Sequence, residues 1–191
     1  MERAILARHG ESAFSARGLV NGDVSVSCPL TERGEEEARA LGRALAGQRI
    51  DLCVTSELER TRQTAELALA GRDVPRLVVP ELDDPRYGEF EGGALDDYRE
   101  WAWSHGSGDA PPGGESRRAL VERYARGYRI VLERPEETVL VVGHSLPIAY
   151  ALGEPAPRMR MVEHASAHEL SAAELRAAVE RLETWLEAPT W

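Results

Sequence analysis

Three short segments carry side chains able to handle a phosphate ester. Arg8-His9-Gly10-Glu11 follows the apolar run Ala4-Ile5-Leu6-Ala7, Ser56-Glu57-Leu58-Glu59-Arg60 follows a run ending at Val54, and Gly143-His144 follows Val139-Leu140-Val141-Val142. A neutral imidazole is nucleophilic near neutral pH, a guanidinium can hold an anion through two parallel hydrogen bonds, and glycine lets the backbone turn tightly beside a bound group. His9 flanked by Arg8 is therefore a candidate pair for phosphoryl transfer. Alone, each segment has a plain alternative. Arg60, among Glu57, Glu59 and Arg62, reads equally as a solvated charge, and His144 as a core histidine satisfied by backbone.

The elements that must position these residues follow from periodicity. Apolar runs near residues 4–7, 50–54, 77–79 and 139–142 read as strands. Helical spacing lies between them: Thr31 caps a helix through Ala38, Leu41 and Leu45, and Ser56 with Glu59 forms a capping-box pattern before Thr64 and Leu67. Ser171 with Glu174 repeats that pattern before Leu175, Val179, Leu182 and Leu186. Strands separated by helices predict an α/β fold, a three-layer sandwich with a mostly parallel central sheet flanked by helices on both faces. Ligands in such sheets bind at the carboxyl ends of the strands, where all three segments fall. Two turn-rich stretches, residues 83–93 and 104–114, bracket a short helical pattern bearing Tyr98, Trp101 and Trp103. Residues 83–115 are thus expected to cover the strand ends, with packing as the simplest role for the aromatics.

Length and composition set outer limits. The chain has 191 residues, enough for one well-buried core, and is read as a single domain spanning residues 1–191. Its formal charge of −10, from 23 basic and 33 acidic residues, repels nucleic acid and anionic membrane, so no partner of either kind is expected. An anion pocket must then be a small local concentration of arginine. The apolar stretch after Glu2 and Arg3 is too brief for a signal-peptide core, which makes the cytoplasm the expected location. Cys28 and Cys53 are too few and too differently placed for a disulfide framework or a CxxC metal site, and Cys53 reads as a buried thiol.

Six segments occur together in one order: Leu6-Ala7-Arg8-His9-Gly10-Glu11-Ser12, Pro29-Leu30-Thr31-Glu32-Arg33-Gly34, Thr55 onward through Arg60-Thr61-Arg62-Gln63-Thr64-Ala65, Tyr87-Gly88-Glu89-Phe90-Glu91-Gly92, Gly113-Gly114-Glu115-Ser116 and Val141-Val142-Gly143-His144. In this order they resemble the histidine phosphatase superfamily, branch 1, the phosphoglycerate-mutase-like clan. Beyond His144 the match is only general. The resemblance implies a phosphomonoester hydrolase that works through phosphohistidine, with no metal and no cofactor. His9 would be the nucleophile, its other ring nitrogen donating to a backbone carbonyl, while Arg8, Arg60 and His144 would clamp the phosphoryl oxygens.

Three positions depart from the family's usual residues. The proton donor is commonly glutamate in a Leu-x-Glu-x-x-aromatic-Gly segment, and Leu82-Asp83-Asp84-Pro85-Arg86-Tyr87-Gly88 places Asp84 there, with Glu89 and Glu91 as alternatives. Ser15 stands where an asparagine commonly contacts phosphate, and Asn21-Gly22 resembles a polar-Gly pair that could supply another amide. Ser145-Leu146-Pro147 replaces the glycines frequent after the second histidine, so Ser145 could donate to phosphate from a helix start. Gly143-His144-Ser145-Leu146-Pro147 also resembles the nucleophile elbow of an α/β serine hydrolase, but no aspartate follows Ser145. Mutase-like phosphotransfer and non-catalytic binding of a phospho-ligand are the other readings, and the short chain favours hydrolysis. The expected substrate is a small phosphorylated metabolite, polar in view of the acidic residues in the cover. No oligomeric state is assigned, since Trp185 and Trp191 could pack internally or against a partner.

Overall fold

The computed structural model describes residues 1–153, 155 and 161–190. Five strands form one sheet in the order β3-β2-β4-β1-β5: β1 (Arg3–Arg8), β2 (Leu52–Thr55), β3 (Arg76–Val78), β4 (Thr138–Gly143) and β5 (Ala167–Ser171). The first four are mutually parallel, with Ile5 opposite Leu140 and Val54 opposite Val141, whereas β5 runs antiparallel to β1. The helices are α1 (Glu32–Ala44), α2 (Glu59–Ala68), α3 (Leu95–Ser104), α4 (Arg117–Leu132), α5 (Ser145–Leu152) and α6 (Ala172–Glu187).

Alternation along β1 explains the layers. Ile5 and Ala7 pack with Leu41, Leu45 and Ala65 of α1 and α2, while Ala4 and Leu6 pack with Tyr124, Tyr128, Ile148 and Leu182 from α4, α5 and α6. Both faces are covered, so β1 and β4 read as unbroken apolar runs rather than alternating ones. Trp185 belongs to the second cluster and packs internally; Trp191 lies outside the described residues. Cys53 is fully buried, and burial pushes its thiol up to about 12.

Side-chain caps, on Thr31, Ser116 and Ser171, open three of the six described α-helices. Thr31 Oγ1 accepts from the Gly34 amide, and Ser171 and Glu174 form the reciprocal capping box, each cap contributing about 1 kcal/mol. Ser56 does not behave as its pattern predicted. The helix begins at Glu59 with Leu58 as its N-cap, because the buried Ser56 hydroxyl bonds His144 instead. The strand β5 was not predicted either: Ala-His-Glu-Leu-Ser has no apolar run, and only alternate residues are partly sheltered at this sheet edge. Among the described residues no helix is long and apolar enough to cross a membrane.

Candidate active site

The carboxyl ends of β1, β2 and β4 deliver His9, the Ser56–Arg60 turn and His144 to one point. Gly10 makes the turn after His9 possible by lying against Gly34 of α1: a Cβ on Gly10 would collide with the Gly34 carbonyl, and one on Gly34 with the backbone of Glu11. The Gly10 amide donates to Thr64 Oγ1 at 3.1 Å, which ties this turn to α2.

His9 is 3% exposed, with Nδ1 2.7 Å from its neighbour's carbonyl oxygen, that of Gly10. Nδ1 must donate there, so the lone pair lies on Nε2. Burial, then Arg60, His144 and Arg8, push this imidazole well below its ordinary range, against the opposing pull of Asp84. The ring is therefore neutral and has the lone pair a nucleophile needs.

Arg60 occupies the centre. Its Nε donates to His9 Nε2 at 3.2 Å, Nη1 to Asn21 Oδ1 at 2.8 Å, and Nη2 to the Asn21 carbonyl at 2.9 Å and to Asp84 Oδ2 at 2.6 Å. Asp84 Oδ2 also lies 3.2 Å from His144 Nδ1. Burial pushes the Asp84 carboxyl up, but His144, Arg60 and His9 together outweigh it and hold the group well below the usual carboxylate range. His144, fully buried and itself lowered mainly by burial, donates from Nδ1 to this carboxylate and accepts at Nε2 from Ser56 Oγ at 2.8 Å. Arg8, 9% exposed, donates from Nη1 to the Val162 carbonyl, and its buried Nε finds no hydrogen-bond partner among the described residues.

One atom each from His9, Asp84 and His144 lie within 4.8 Å of one another, a spacing that could suit a metal ion. The Arg60 guanidinium bonds two of these residues directly, so a cation already sits among them and a second would meet its repulsion. The arrangement suits an anion that takes over the arginine's bonds.

The other predicted residues divide. Asn21 reaches the site and orients Arg60. Ser15 lines the cavity above His9, yet its hydroxyl is engaged by Ser12. Ser145 lines it too, with its Oγ between Met161 Sδ and the Val162 amide, neither of which is a base for a serine nucleophile. Glu91 accepts from the amides of Gly22 and Tyr87, and neither it nor Glu89 lines the cavity. Sequence reasoning missed Ser56 as the partner of His144. It also missed the approach of His164, whose ring centre is 5.7 Å from that of His9 and whose pKa burial lowers to about 4.

Above this floor opens a cavity of about 460 Å³ whose walls include Phe14, Leu19, Leu95, Tyr98, Trp103 and Tyr150. The acid-rich wall expected from the sequence is absent, because the acids point elsewhere: Glu115 pairs with Arg123, Glu91 binds backbone, and Asp96 is exposed. Asp84 is the sole carboxylate of residues 83–115 on the cavity wall among the described residues.

A neutral histidine and a carboxylate held on one guanidinium, at the carboxyl edge of a mostly parallel sheet, define a phosphoryl-transfer enzyme. The model of the histidine phosphatase superfamily (branch 1) matches residues 4–187, and the chain belongs to that superfamily. It is 35% identical over 172 residues to the adenosylcobalamin/alpha-ribazole phosphatase of Escherichia coli (strain K12), covering 82% of each chain. It is 38% identical over 160 residues to a 2,3-bisphosphoglycerate-dependent phosphoglycerate mutase of Methylobacterium sp. (strain 4-46), covering 75% of this chain and 76% of that one. The crystal structure of the alpha-ribazole phosphatase from Shigella flexneri superposes with a TM-score of 0.74 at 32% identity, covering 87% of this chain and 89% of the other.

Proposed function

We propose that this chain is a phosphomonoesterase of one domain, with residues 83–115 as its cover, acting on esters whose alcohol is bulky and apolar. The observation that carries the reading is Arg60, which bonds the nucleophilic nitrogen of His9 and the Asp84 carboxylate at once. An entering phosphate dianion competes for both bonds. As Arg60 and the His144 Nδ1–H turn to the phosphate oxygens, His9 Nε2 is uncovered and Asp84 loses the partners that kept it ionised, so its proton affinity rises.

In the first step the His9 Nε2–phosphorus bond forms, the phosphorus–oxygen ester bond breaks, and Asp84, which has taken a proton from solvent after losing Arg60, gives that proton to the departing alkoxide. Arg8, Arg60 and His144 Nδ1–H face the charge that spreads over the equatorial oxygens. In the second step water attacks phosphorus, its proton passes to Asp84, the phosphorus–nitrogen bond breaks, and inorganic phosphate leaves. Ser56 keeps His144 in the tautomer that donates.

The walls support hydrolysis of a monoester over transfer between phosphoglycerates. A bisphosphate needs a second anion site, and of the further arginines at the cavity among the described residues Arg117 is bonded to the carbonyls of Ala102 and His105, which leaves Arg99, paired with the exposed Asp96, as the single cation for it. The test is a quenched reaction followed by a substrate panel. Acid-labile, base-stable phosphate on His9 is expected, with alpha-ribazole phosphate and naphthyl phosphate turned over faster than 3-phosphoglycerate. Absence of phosphohistidine under single turnover would remove the mechanism, and a preference for 3-phosphoglycerate would remove the substrate class.

A further inference from the structure

The Gly113-Gly114-Glu115-Ser116 segment matched the family in sequence but supplies nothing to the floor of the cavity. Its glutamate is 11% exposed in the side chain and faces Arg123 of α4, which is 10% exposed. Arg123 Nε and Nη2 bond the two Glu115 oxygens at 3.2 and 2.5 Å. The remaining N–H groups fan onto the backbone that carries the acid: Nη2 to the Asp84 carbonyl at 3.1 Å, and Nη1 to the carbonyls of Asp83 at 2.9 Å and Glu81 at 3.0 Å, with Pro80 at 3.4 Å. Glu115 in turn accepts from the Arg86 amide at 2.9 Å, and its own amide donates to the Arg86 carbonyl. Gly88, with φ +60°, lets the next turn lie against Pro112 and Gly114.

We infer that Arg123, oriented by Glu115, is a positioning residue for the Asp84 proton donor, holding residues 80–86 still while the carboxylate changes partners. This rests on Asp84 being the acid proposed above. A loop that only had to be filled could use an apolar side chain, because a buried ion pair does little for stability compared with well-packed hydrophobes. What the guanidinium adds is direction: planar N–H groups bonded to the carbonyls of Pro80, Glu81, Asp83 and Asp84 fix a backbone path that a point charge cannot. The need arises from the exchange itself. When phosphate draws Arg60 and the His144 Nδ1–H away, Asp84 loses both its side-chain anchors, and a loop free to follow would take an aspartate, one methylene shorter than glutamate, out of reach of the leaving oxygen. Clamping the main chain confines the change to the side-chain torsions.

The test compares leaving groups in Arg123→Met, Arg123→Lys, Glu115→Gln and Asp84→Asn enzymes, using an alkyl phosphate, which needs a proton, and 4-nitrophenyl phosphate, which does not. Arg123→Met is expected to lower kcat on the alkyl ester at least tenfold more than on the nitrophenyl ester, with KM changed less than threefold. Adding it to Asp84→Asn is expected to cause no further selective loss. Glu115→Gln, which keeps the packing, shows the same selectivity at smaller size, and Arg123→Lys restores only part of it. Should Arg123→Met fail to fold, Glu115→Gln decides alone. Equal loss on both esters in the Arg123 and Glu115 variants, while Asp84→Asn remains selective, overturns the positioning role and leaves the acid intact. Loss of selectivity in Asp84→Asn itself overturns both.

Discussion

The floor and the walls of the cavity are built by different rules. On the floor, buried polar side chains from three strand ends meet in a network in which Arg60 alone makes bonds to His9, Asn21 and Asp84. In the walls, rings meet rings: Tyr87 and Tyr98, both lining the cavity, meet edge-to-face at 4.7 Å between centroids, and Phe90, which does not line it, packs on Tyr98 at 5.8 Å. Directional bonds on the floor can recognise a phosphoryl group and follow its changing charge. Apolar contact in the walls recognises volume and says little about the position of any one atom. The reaction and the choice of substrate are therefore carried by separable parts, and substitutions in each should leave distinct kinetic signatures.

The largest effect falls on the floor. His9→Ala should lower turnover by about 10⁴-fold or more on every ester while the thermal midpoint stays close to that of the parent, as activity and melting measurements would show. Asp84→Asn should cost about 10²-fold on an alkyl phosphate and only a few-fold on 4-nitrophenyl phosphate, measured as kcat at fixed pH. A wall substitution should break the pattern. Trp103→Ala removes a half-exposed ring from the cavity rim and is expected to raise KM for naphthyl phosphate about fivefold, with kcat for a small ester unchanged. Loss of kcat on small esters as well would show that walls and floor are coupled.

The smallest effect separates two adjacent carboxyl groups. Asp84 is held below the usual range, whereas burial pushes Asp83 up to about 6, although the Glu57 amide at 2.7 Å pulls the other way. Between the ordinary aspartate value and about pH 6 the folded protein holds the Asp83 proton and the unfolded chain does not, so stability falls as pH rises through this window. Asp84 acts with the opposite sign, its contribution being present above the ordinary aspartate value and lost on acidification. Asp83→Asn keeps an acceptor for Glu57 and removes the buried charge. It should raise the melting temperature by a degree or two above pH 6, on the order of 0.5 kcal/mol, and flatten its decline between pH 4 and 6.

How far the sequence disclosed this depends on which face a residue occupies. The β1, β2 and β4 runs were legible because strands buried on both sides are continuously apolar, and His9, Arg60 and His144 stood directly after them. β5 was not, since an edge strand sheltered at alternate positions presents Glu169 and His168 like any loop. Asp84 could be placed only by the family resemblance, as Asp-Asp-Pro by itself is a good turn. Arg123 was not singled out, standing between Glu122 and Tyr124. Its signal was helical: it lies three residues after Leu120 and four before Gly127, on the buried face of α4. Ser56 was misread because a local cap and a distant histidine compete for one hydroxyl, and only the fold brings the histidine near.

The Arg60–Asp84 ion pair has a consequence for the end of the catalytic cycle. Two cationic arginines facing an open cavity would otherwise retain the inorganic phosphate they have just released, and free phosphate in solution would keep them occupied. A carboxylate 2.6 Å from Arg60 is an internal competitor at permanent high local concentration. Every returning anion must displace it, and an ester that also fills the apolar walls has contacts to offset that displacement which bare phosphate lacks. On the roles proposed above, resistance to product inhibition is built into the resting enzyme by the same group that is assigned the proton.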